Sequence, residues 1–311
     1  MKNTNLDLGL AAAITKAASK QTYYTIRLLA DRDRVTDAYR AYAYFRWVDD
    51  VLDAETGSGS ERCLFLKRQE SLLEKCYRGE SPRDVDLEEE ILVELVQNDT
   101  EKNSGLQFYL RNMMAVMAFD VERRGRPISQ AELNAYTRWL ADAVTEAIHY
   151  FIGHDDFSPH TEARSLAVTG AHITHMLRDA FEDTQAGYFN IPREVLDADH
   201  ITPQDLQSNA YRTWVRDRVQ LARTYFKAGR QYLNHIENPR CRLAGLAYTA
   251  RFEWLLNTIE KEDYCLRPEY RERKSLATSL NMLWLAFSSM LASRDANLSP
   301  KTAPARGRSL Q

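Results

Sequence analysis

The segment VTDAYRAYAYFRWVDDVLD, Val35 to Asp53, repeats apolar side chains at intervals of three or four residues, as one buried face of a helix requires. Asp49 and Asp53 lie near its end, four positions apart. On a helix this spacing places both carboxylates on one face, about 5–6 Å apart at Cβ. The stretch HMLRDAFEDTQAGYFNIP, which begins at His175, repeats the spacing with Asp179 and Asp183 before a glycine and a proline.

The rest of the chain favours a wholly helical fold. Gly and Pro are scarce, at 12 and 9 of 311 residues, and no alternating run typical of a strand occurs. In RGRPISQAEL, Ser129 and Glu132 have the spacing of a capping box at a helix start. Because no long linker divides the chain, we predict one all-α domain at residues 15–295. A flexible segment at 1–14 would precede it, and a disordered tail at 296–311 would follow.

Composition excludes several classes of partner. The net charge of −3 gives no electrostatic basis for nucleic-acid binding. The four cysteines have no metal-finger spacing, which favours reduced thiols in a cytoplasmic protein.

The apolar segment at 276–292 fits a buried core helix better than a membrane span. A late segment carries several arginines that predict a solvated face, with weak peripheral membrane attachment as the alternative: Arg212, Arg216, Arg223 and Arg230.

The two aspartate pairs predict a metal site. Each pair lies among apolar side chains, and buried like charges need a cation to neutralise them. Carboxylate oxygens suit Mg²⁺, which often bridges protein carboxylates and substrate phosphates. Arg46 and Arg178 precede the pairs and could bind phosphate oxygens. A diphosphate held in this way is a good leaving group, and aromatic rings would stabilise the carbocation that remains. A single pair of this kind would more simply be a solvated helix face.

Both motifs, in this order and separation, resemble those of the squalene and phytoene synthases, which join two isoprenyl diphosphates head to head. YAYFRWVDDVLD, from Tyr42, is similar to the family's first aspartate-rich motif, and MLRDAFEDTQAGYFNIP, from Met176, to its second. The segment between them places Tyr136 where the family has a tyrosine thought to move protons. KQTYY resembles the early segment that closes over a diphosphate, and the similarity extends from about Ser19 to Lys274.

The resemblance implies the isoprenoid synthase fold, a single helical domain around a central cavity, with Mg²⁺ bound by Asp49, Asp53, Asp179 and Asp183. Farnesyl or geranylgeranyl diphosphate would be the substrate, and NADPH would enter only if the product is squalene. Tyr136 would be the acid or base. The residues expected to contact substrate are Tyr23, Tyr42, Arg46, His172, His175, Arg178 and Arg267.

The chain departs from the family pattern at several positions. His172 and His175 stand where the family has Gln and Asn, and a neutral imidazole could replace the Asn with pH-dependent affinity. Asp142 and Thr145 replace two glycines that let a substrate chain approach the helix, so we expect them to narrow that part of the cavity. The Arg and Tyr that follow the second motif's glycine in the family are replaced by Tyr188 and Asn190.

Other interpretations remain open at this stage. A terpene cyclase on the same fold would use these aspartates with one prenyl diphosphate. A catalytically inactive binding or assembly protein would have no reason to keep acidic pairs in apolar surroundings. His172, His175 and Asp179 could together ligate a transition metal. Glu146 and His149 fit one E-x-x-H motif of a di-iron bundle, which needs a second such motif.

Overall fold

The computed structural model describes residues 4–54, 59–154 and 161–270, which contain twelve α-helices and no strand. Predicted features at 276–292 and 296–311 lie outside these residues. The helices are α1 Thr4–Ala18, α2 Lys20–Leu29, α3 Val35–Asp53, α4 Gly59–Tyr77, α5 Leu87–Asn98, α6 Gly105–Arg123, α7 Gln130–Ile152, α8 Ala163–Arg178, α9 Ala180–Ala186, α10 Arg193–Asp199, α11 Asn209–Asn234 and α12 Pro239–Lys261.

Local sequence determines where several helices begin. The predicted capping box at the start of α7 is confirmed: the Ser129 hydroxyl accepts from the Glu132 backbone N–H, and Glu132 accepts from the Ser129 backbone. At α12, Asn238 accepts from two backbone N–H groups and Pro239 occupies the first helical position, where its missing N–H costs nothing. These caps define where α7 and α12 begin.

The close approach of α8 and α11 depends on glycine. A Cβ atom at Gly229 on α11 would lie 2.4 Å from the backbone nitrogen of Ala167 on α8. A Cβ atom at Gly170 on α8 would lie 3.0 Å from the carbonyl oxygen of Ala222. The two backbones therefore pack in direct contact, which fixes α8 between α7, α11 and α12. This packing positions the second aspartate motif, because α8 ends there.

The domain boundary predicted after residue 14 lies within α1, where Ala11 and Thr15 are buried as the helix packs on α3. Another sequence prediction needs correction. The second motif is not one continuous helix. Asp179 lies at the junction of α8 and α9 with φ −97° and ψ 8°, although the hydrogen bond from the Asp183 N–H to the Asp179 carbonyl is kept at 2.8 Å.

Candidate functional site

The first aspartate motif lies at the C-terminal end of α3 and is only partly neutralised. Arg46 contacts Asp49 at 3.3 Å and also pairs with the exposed Asp50. Burial, followed by the charge of Asp53, raises the pKa of Asp49 to about 6. The Asp49 carboxylate is therefore held in surroundings that disfavour its charge, which is the condition that an added cation would relieve.

The second motif pairs most of its charge internally. Arg178 Nε donates to Asp179 at 2.6 Å, and His175 Nε2 lies 3.0 Å from the same carboxylate. Burial alone would raise the pKa of Asp179, but the hydrogen bonds from Arg178 and His175 outweigh it and lower that pKa. The histidine one turn before the motif therefore orients its first aspartate. Arg46 and Arg178 both contact aspartates of their own motifs. Neither side chain is therefore free to serve only as a phosphate ligand.

A chain of buried hydrogen bonds connects the second motif to α6 and α7. Asn190 donates to Asp183 at 2.7 Å and accepts from Arg123 at 2.8 Å. Arg123 Nε donates to Asp120 at 2.6 Å, and the Tyr136 hydroxyl donates to the other Asp120 oxygen at 3.0 Å. Burial, followed by the charge of Asp179, raises the pKa of Asp183 to about 7. Asn190 therefore holds Asp183 in place through a neutral hydrogen bond, and the Arg123 charge offsets only part of the rise in its pKa.

The turn after α9 holds this chain of hydrogen bonds against α6. Gly187 ends the helix with φ 87°, a left-handed conformation that glycine adopts without strain. Its carbonyl accepts from the Gly125 N–H at 2.8 Å in the turn between α6 and α7. The Arg193 N–H donates to the Ile128 carbonyl at 2.7 Å. The glycine and proline of the motif therefore place Asn190 over Arg123.

The two motifs act on one another through α6. The charge of Asp53 helps to raise the pKa of Asp120 and that of Tyr188, and the charge of Asp120 helps to raise the pKa values of Asp49 and Asp183. In each case burial is the larger cause. Carboxylates from α3, α6 and α9 therefore surround one region, where they outnumber the guanidinium groups.

Tyr136 and His172 are the two predicted site residues that are buried within the described part of the chain. Burial and the charge of Asp120 raise the pKa of the Tyr136 hydroxyl well above the usual value, so it is protonated at neutral pH. The Arg123 guanidinium lies 4.6 Å from its ring centroid, and the His172 ring lies 5.3 Å away. Neither ring nitrogen of His172 has a hydrogen-bond partner among the described residues, and burial lowers the pKa of His172 well below the usual value. His172 is therefore a neutral side chain packed on Tyr136.

An apolar cavity of about 370 Å³ lies between α2, α3, α7 and α12. Tyr42 lines one wall, one helical turn before Arg46 of the first motif. Tyr248 and Arg251 line another wall, and both interact electrostatically with the second motif: Arg178 with Tyr248, and Arg251 with His175. The walls of the cavity therefore approach both motifs, although none of the four aspartates lines it, and alanines at Ala41, Ala147 and Ala247 leave the space open.

Two predicted substrate residues lie apart from the aspartates. Tyr23 on α2 stacks on Tyr39 with ring centroids 5.4 Å apart, and its hydroxyl accepts from Arg27. Arg267, after α12, pairs with Glu262 and lies over the ring of Tyr270. Arg251 is the basic side chain of α12 that reaches the cavity beside His175.

Asp142 and Thr145 do not narrow the apolar cavity, contrary to the sequence prediction. They line a separate polar cavity between α7, α8 and α11, whereas Val144, Ala147 and Ile148 of α7 face the apolar one. The reason is helix geometry, since neighbouring positions on a helix point in directions about 100° apart. Substitutions next to each other in sequence therefore act on different cavities.

In the described part of the chain, no three His, Cys, Asp or Glu side chains are placed to hold a metal by themselves. Among those residues His172 makes no hydrogen bond, and His175 is engaged with Asp179. Glu146 pairs with Arg164 at 3.0 Å, while His149 faces a cysteine sulfur at 3.9 Å. The carboxylates at the site are instead divided between two motifs, a donor set that suits Mg²⁺ shared with a phosphate ligand.

Sequence reasoning missed four residues of this region. Asp120 and Arg123 lie in the segment between the motifs, where opposite charges three positions apart in an apolar helix indicate an ion pair. Asn190 was noted only as a departure from the family, and Arg251 was passed over in favour of Arg267. The contacts of Asn190 and Arg251 join distant parts of the chain, which local spacing does not reveal.

A family model for squalene/phytoene synthase matches residues 15–277. The chain belongs to the squalene/phytoene synthase family. It is 25% identical over 255 residues to a chloroplastic phytoene synthase of an Oncidium hybrid cultivar, covering 78% of this chain and 59% of the relative. It is 28% identical over 201 residues to a presqualene diphosphate synthase of Zymomonas mobilis, covering 63% of this chain and 64% of the relative. The chain thus spans about three fifths of the length of these relatives.

Solved structures confirm the predicted fold. Squalene synthase HpnC from Alicyclobacillus acidocaldarius superposes with a TM-score of 0.67 at 18% identity, covering 84% of this chain and 95% of that one. A dehydrosqualene synthase in complex with a ligand gives a TM-score of 0.67 at 16% identity, covering 94% of this chain and 98% of that one. The chain therefore has the all-α isoprenoid synthase fold.

The arginines of α11 are largely neutralised. Arg212 contacts Asp263 at 2.7 Å, Arg223 contacts Glu260 at 2.5 Å, and Arg230 pairs with Glu253. Arg216 lies over the Tyr264 ring. These pairings favour the solvated face over the membrane-binding alternative. Within residues 4–54, 59–154 and 161–270, no helix has the length and apolar character of a bilayer span.

Proposed function

We propose that this protein is a Mg²⁺-dependent prenyl transferase that condenses two isoprenyl diphosphates, farnesyl or geranylgeranyl, head to head with release of diphosphate. The observation that carries the proposal is the apolar, tyrosine-lined cavity that approaches two aspartate motifs, in which burial raises the pKa values of Asp49 and Asp183. Family membership and relatives named phytoene synthase and presqualene diphosphate synthase support the same reaction class.

Asp49, Asp53, Asp179 and Asp183 would hold Mg²⁺. The bound ion would neutralise these carboxylates and stabilise the negative charge on the departing diphosphate. The raised pKa values of Asp49 and Asp183 fit such a site, because both carboxylates lie in surroundings that disfavour an isolated negative charge.

The chain's own cations would orient the diphosphate. Arg251 lines the cavity beside His175 and is the basic residue we assign to a diphosphate oxygen, in place of Arg267. Arg46 and Arg178 hold their aspartates in position and would share those contacts with the ligand. The prenyl chain would extend into the apolar cavity past Tyr42, where aromatic faces stabilise a carbocation.

Tyr136 and Asp120 form the proposed proton-transfer pair. The tyrosine hydroxyl already donates to the carboxylate at 3.0 Å, so a proton lost by an intermediate to the phenol oxygen can pass on to Asp120. Burial raises the pKa of Asp120, which makes it a better proton acceptor. Arg123 fixes the other oxygen of Asp120 at 2.6 Å and keeps the pair aligned. NADPH is required in this proposal only if the product is squalene.

Product mass tests the proposal. The pure protein is incubated with farnesyl or geranylgeranyl diphosphate and Mg²⁺, with or without NADPH, and the hydrocarbon extract is analysed by mass spectrometry. We expect a product with twice the carbon count of the substrate, absent in Asp53→Asn and retained in Asp199→Asn, an exposed aspartate on α10. A product with the substrate's own carbon count would identify a cyclase, and unchanged diphosphate with both substrates would identify a binding protein.

A further inference from the structure

A second cavity, polar and about 580 Å³ in volume, lies between α7, α8 and α11. It uses a different face of α7 from the apolar prenyl cavity, and none of the aspartates of the two motifs lines it. Its volume falls within the usual range of small-molecule sites, about 300–1,000 Å³. The prenyl transfer reaction leaves this cavity without a role.

Arg218 of α11 brings an uncompensated positive charge into this cavity. The residue is only 8% exposed, and it forms no hydrogen bond or ion pair with any residue of the described ranges. Burial lowers the pKa of its guanidinium. Buried arginines elsewhere in the molecule have partners, as Arg123 has in Asp120 and Asn190. A buried cation without a partner is costly and calls for an anion.

Three acidic side chains line the same cavity, and none of them pairs with Arg218 within the described residues. Glu162 is exposed to solvent. Glu146 is already paired with Arg164 at 3.0 Å. Asp142 is hydrogen-bonded to Ser165 and lies in the field of Arg138, and burial raises its pKa. Once these pairs are formed, the enclosed part of the cavity retains the single charge of Arg218. A ligand with one negative charge would balance it, whereas a dianion would introduce a new excess.

The remaining wall provides one hydrogen-bonding group and an apolar surface. The Thr145 hydroxyl is buried and has no hydrogen-bond partner within the described residues. It can therefore donate to an anion that the Arg218 fork binds. Ile173, Leu221 and Tyr225 line the cavity beside Arg218. We propose that this cavity binds a small organic monocarboxylate, with its carboxylate on Arg218 and Thr145 and its apolar body against Ile173 and Leu221.

Binding of defined probes to the full chain tests the proposal. Octanoate and benzoate are titrated by calorimetry, with octanol and inorganic phosphate as probes that lack the carboxylate or carry more charge. We expect octanoate or benzoate to bind the wild-type protein, and Arg218→Gln to weaken this binding about tenfold or more. Thr145→Val should weaken it by a smaller factor. Arg216→Gln removes an exposed arginine from the same helix and should leave the affinity unchanged.

Several outcomes would overturn the proposal. Failure of both carboxylates to bind the wild-type protein would do so, and so would equal affinity for octanol. Preference for phosphate would exclude the monocarboxylate. Binding that persists in Arg218→Gln would place the anion elsewhere, for example beside Arg178 and Arg251 of the prenyl site. If Arg218→Gln does not fold, as judged by circular dichroism, unchanged affinity in Thr145→Val decides against the site.

Discussion

Replacing Asp183 with Asn should stabilise the metal-free protein at alkaline pH, although it removes a residue of the proposed metal centre. Burial and the charge of Asp179 raise the pKa of Asp183 to about 7, against roughly 3.9 for an unperturbed carboxyl. The folded protein therefore binds this proton more tightly than the unfolded chain, so stability falls as pH rises towards the folded pKa. From about pH 5.5 to about pH 7, at roughly 1.36 kcal/mol per pH unit, the fall is about 2 kcal/mol.

The assay is the free energy of unfolding in denaturant, with EDTA present, at about pH 5.5 and about pH 8. His172 and His175 act with the opposite sign. Burial lowers both pKa values, and protonation of the unfolded chain below roughly pH 6.5 removes stability. Their contribution is common to wild type and variant, so the difference between the two proteins isolates Asp183.

The quantity compared is the free energy of unfolding of Asp183→Asn minus that of wild type. We expect this difference to be about 2 kcal/mol larger at about pH 8 than at about pH 5.5. Asn190 can still donate to the amide oxygen of the replacement, so the hydrogen bond to this position is kept. Glu182→Gln removes an exposed charge from the adjacent position and should show a pH-dependent difference below about 0.5 kcal/mol. Identical pH dependence in wild type and Asp183→Asn would refute the argument that this carboxylate is buried and uncompensated.

Two further predictions concern stability and are measured by thermal or denaturant unfolding. Arg123→Met should lower the free energy of unfolding by about 3–5 kcal/mol, because it leaves a buried carboxylate and a buried amide without their partner. Arg126→Met, at a more exposed arginine, should lower it by less than about 1 kcal/mol. Gly229→Ala should lower the free energy of unfolding by about 1–3 kcal/mol, because the added methyl group would meet the backbone of Ala167. The methyl group of Gly9→Ala would meet nothing within 4 Å, so this variant should be neutral or stabilising. Equal costs within either pair would contradict the packing described here.

The aspartate motifs were predictable from sequence because their signal is local. Spacing of three and four residues identifies the buried face of α3, and the carboxylates of Asp49 and Asp53 stand out among apolar neighbours. The start of α7 was predictable for the same reason, since Ser129 and Glu132 satisfy one another within four residues. Resemblance to a known family added the fold, and structural similarity confirms it.

The supporting groups could not be predicted in the same way. Arg123 and Asn190 are 67 residues apart, and their pairing depends on how the turn after α9 packs on α6. The break at Asp179 arises where α8 ends against its neighbours, although the spacing alone fits an unbroken helix. Asp142 and Thr145 needed the packing of α7 before they could be assigned to the polar cavity. Tertiary packing, which no short window of sequence encodes, decides each case.

Release of inorganic diphosphate from geranylgeranyl or farnesyl diphosphate tests the central claim most directly. The rate is measured with Mg²⁺ and with EDTA, for wild type, Asp179→Asn and the exposed control Asp199→Asn. The account predicts release that requires Mg²⁺, falls by about a hundredfold or more in Asp179→Asn, and is unchanged in the control, with circular dichroism showing the same helical content in all three. Release that continues in EDTA, or at the wild-type rate in a folded Asp179→Asn, would contradict it.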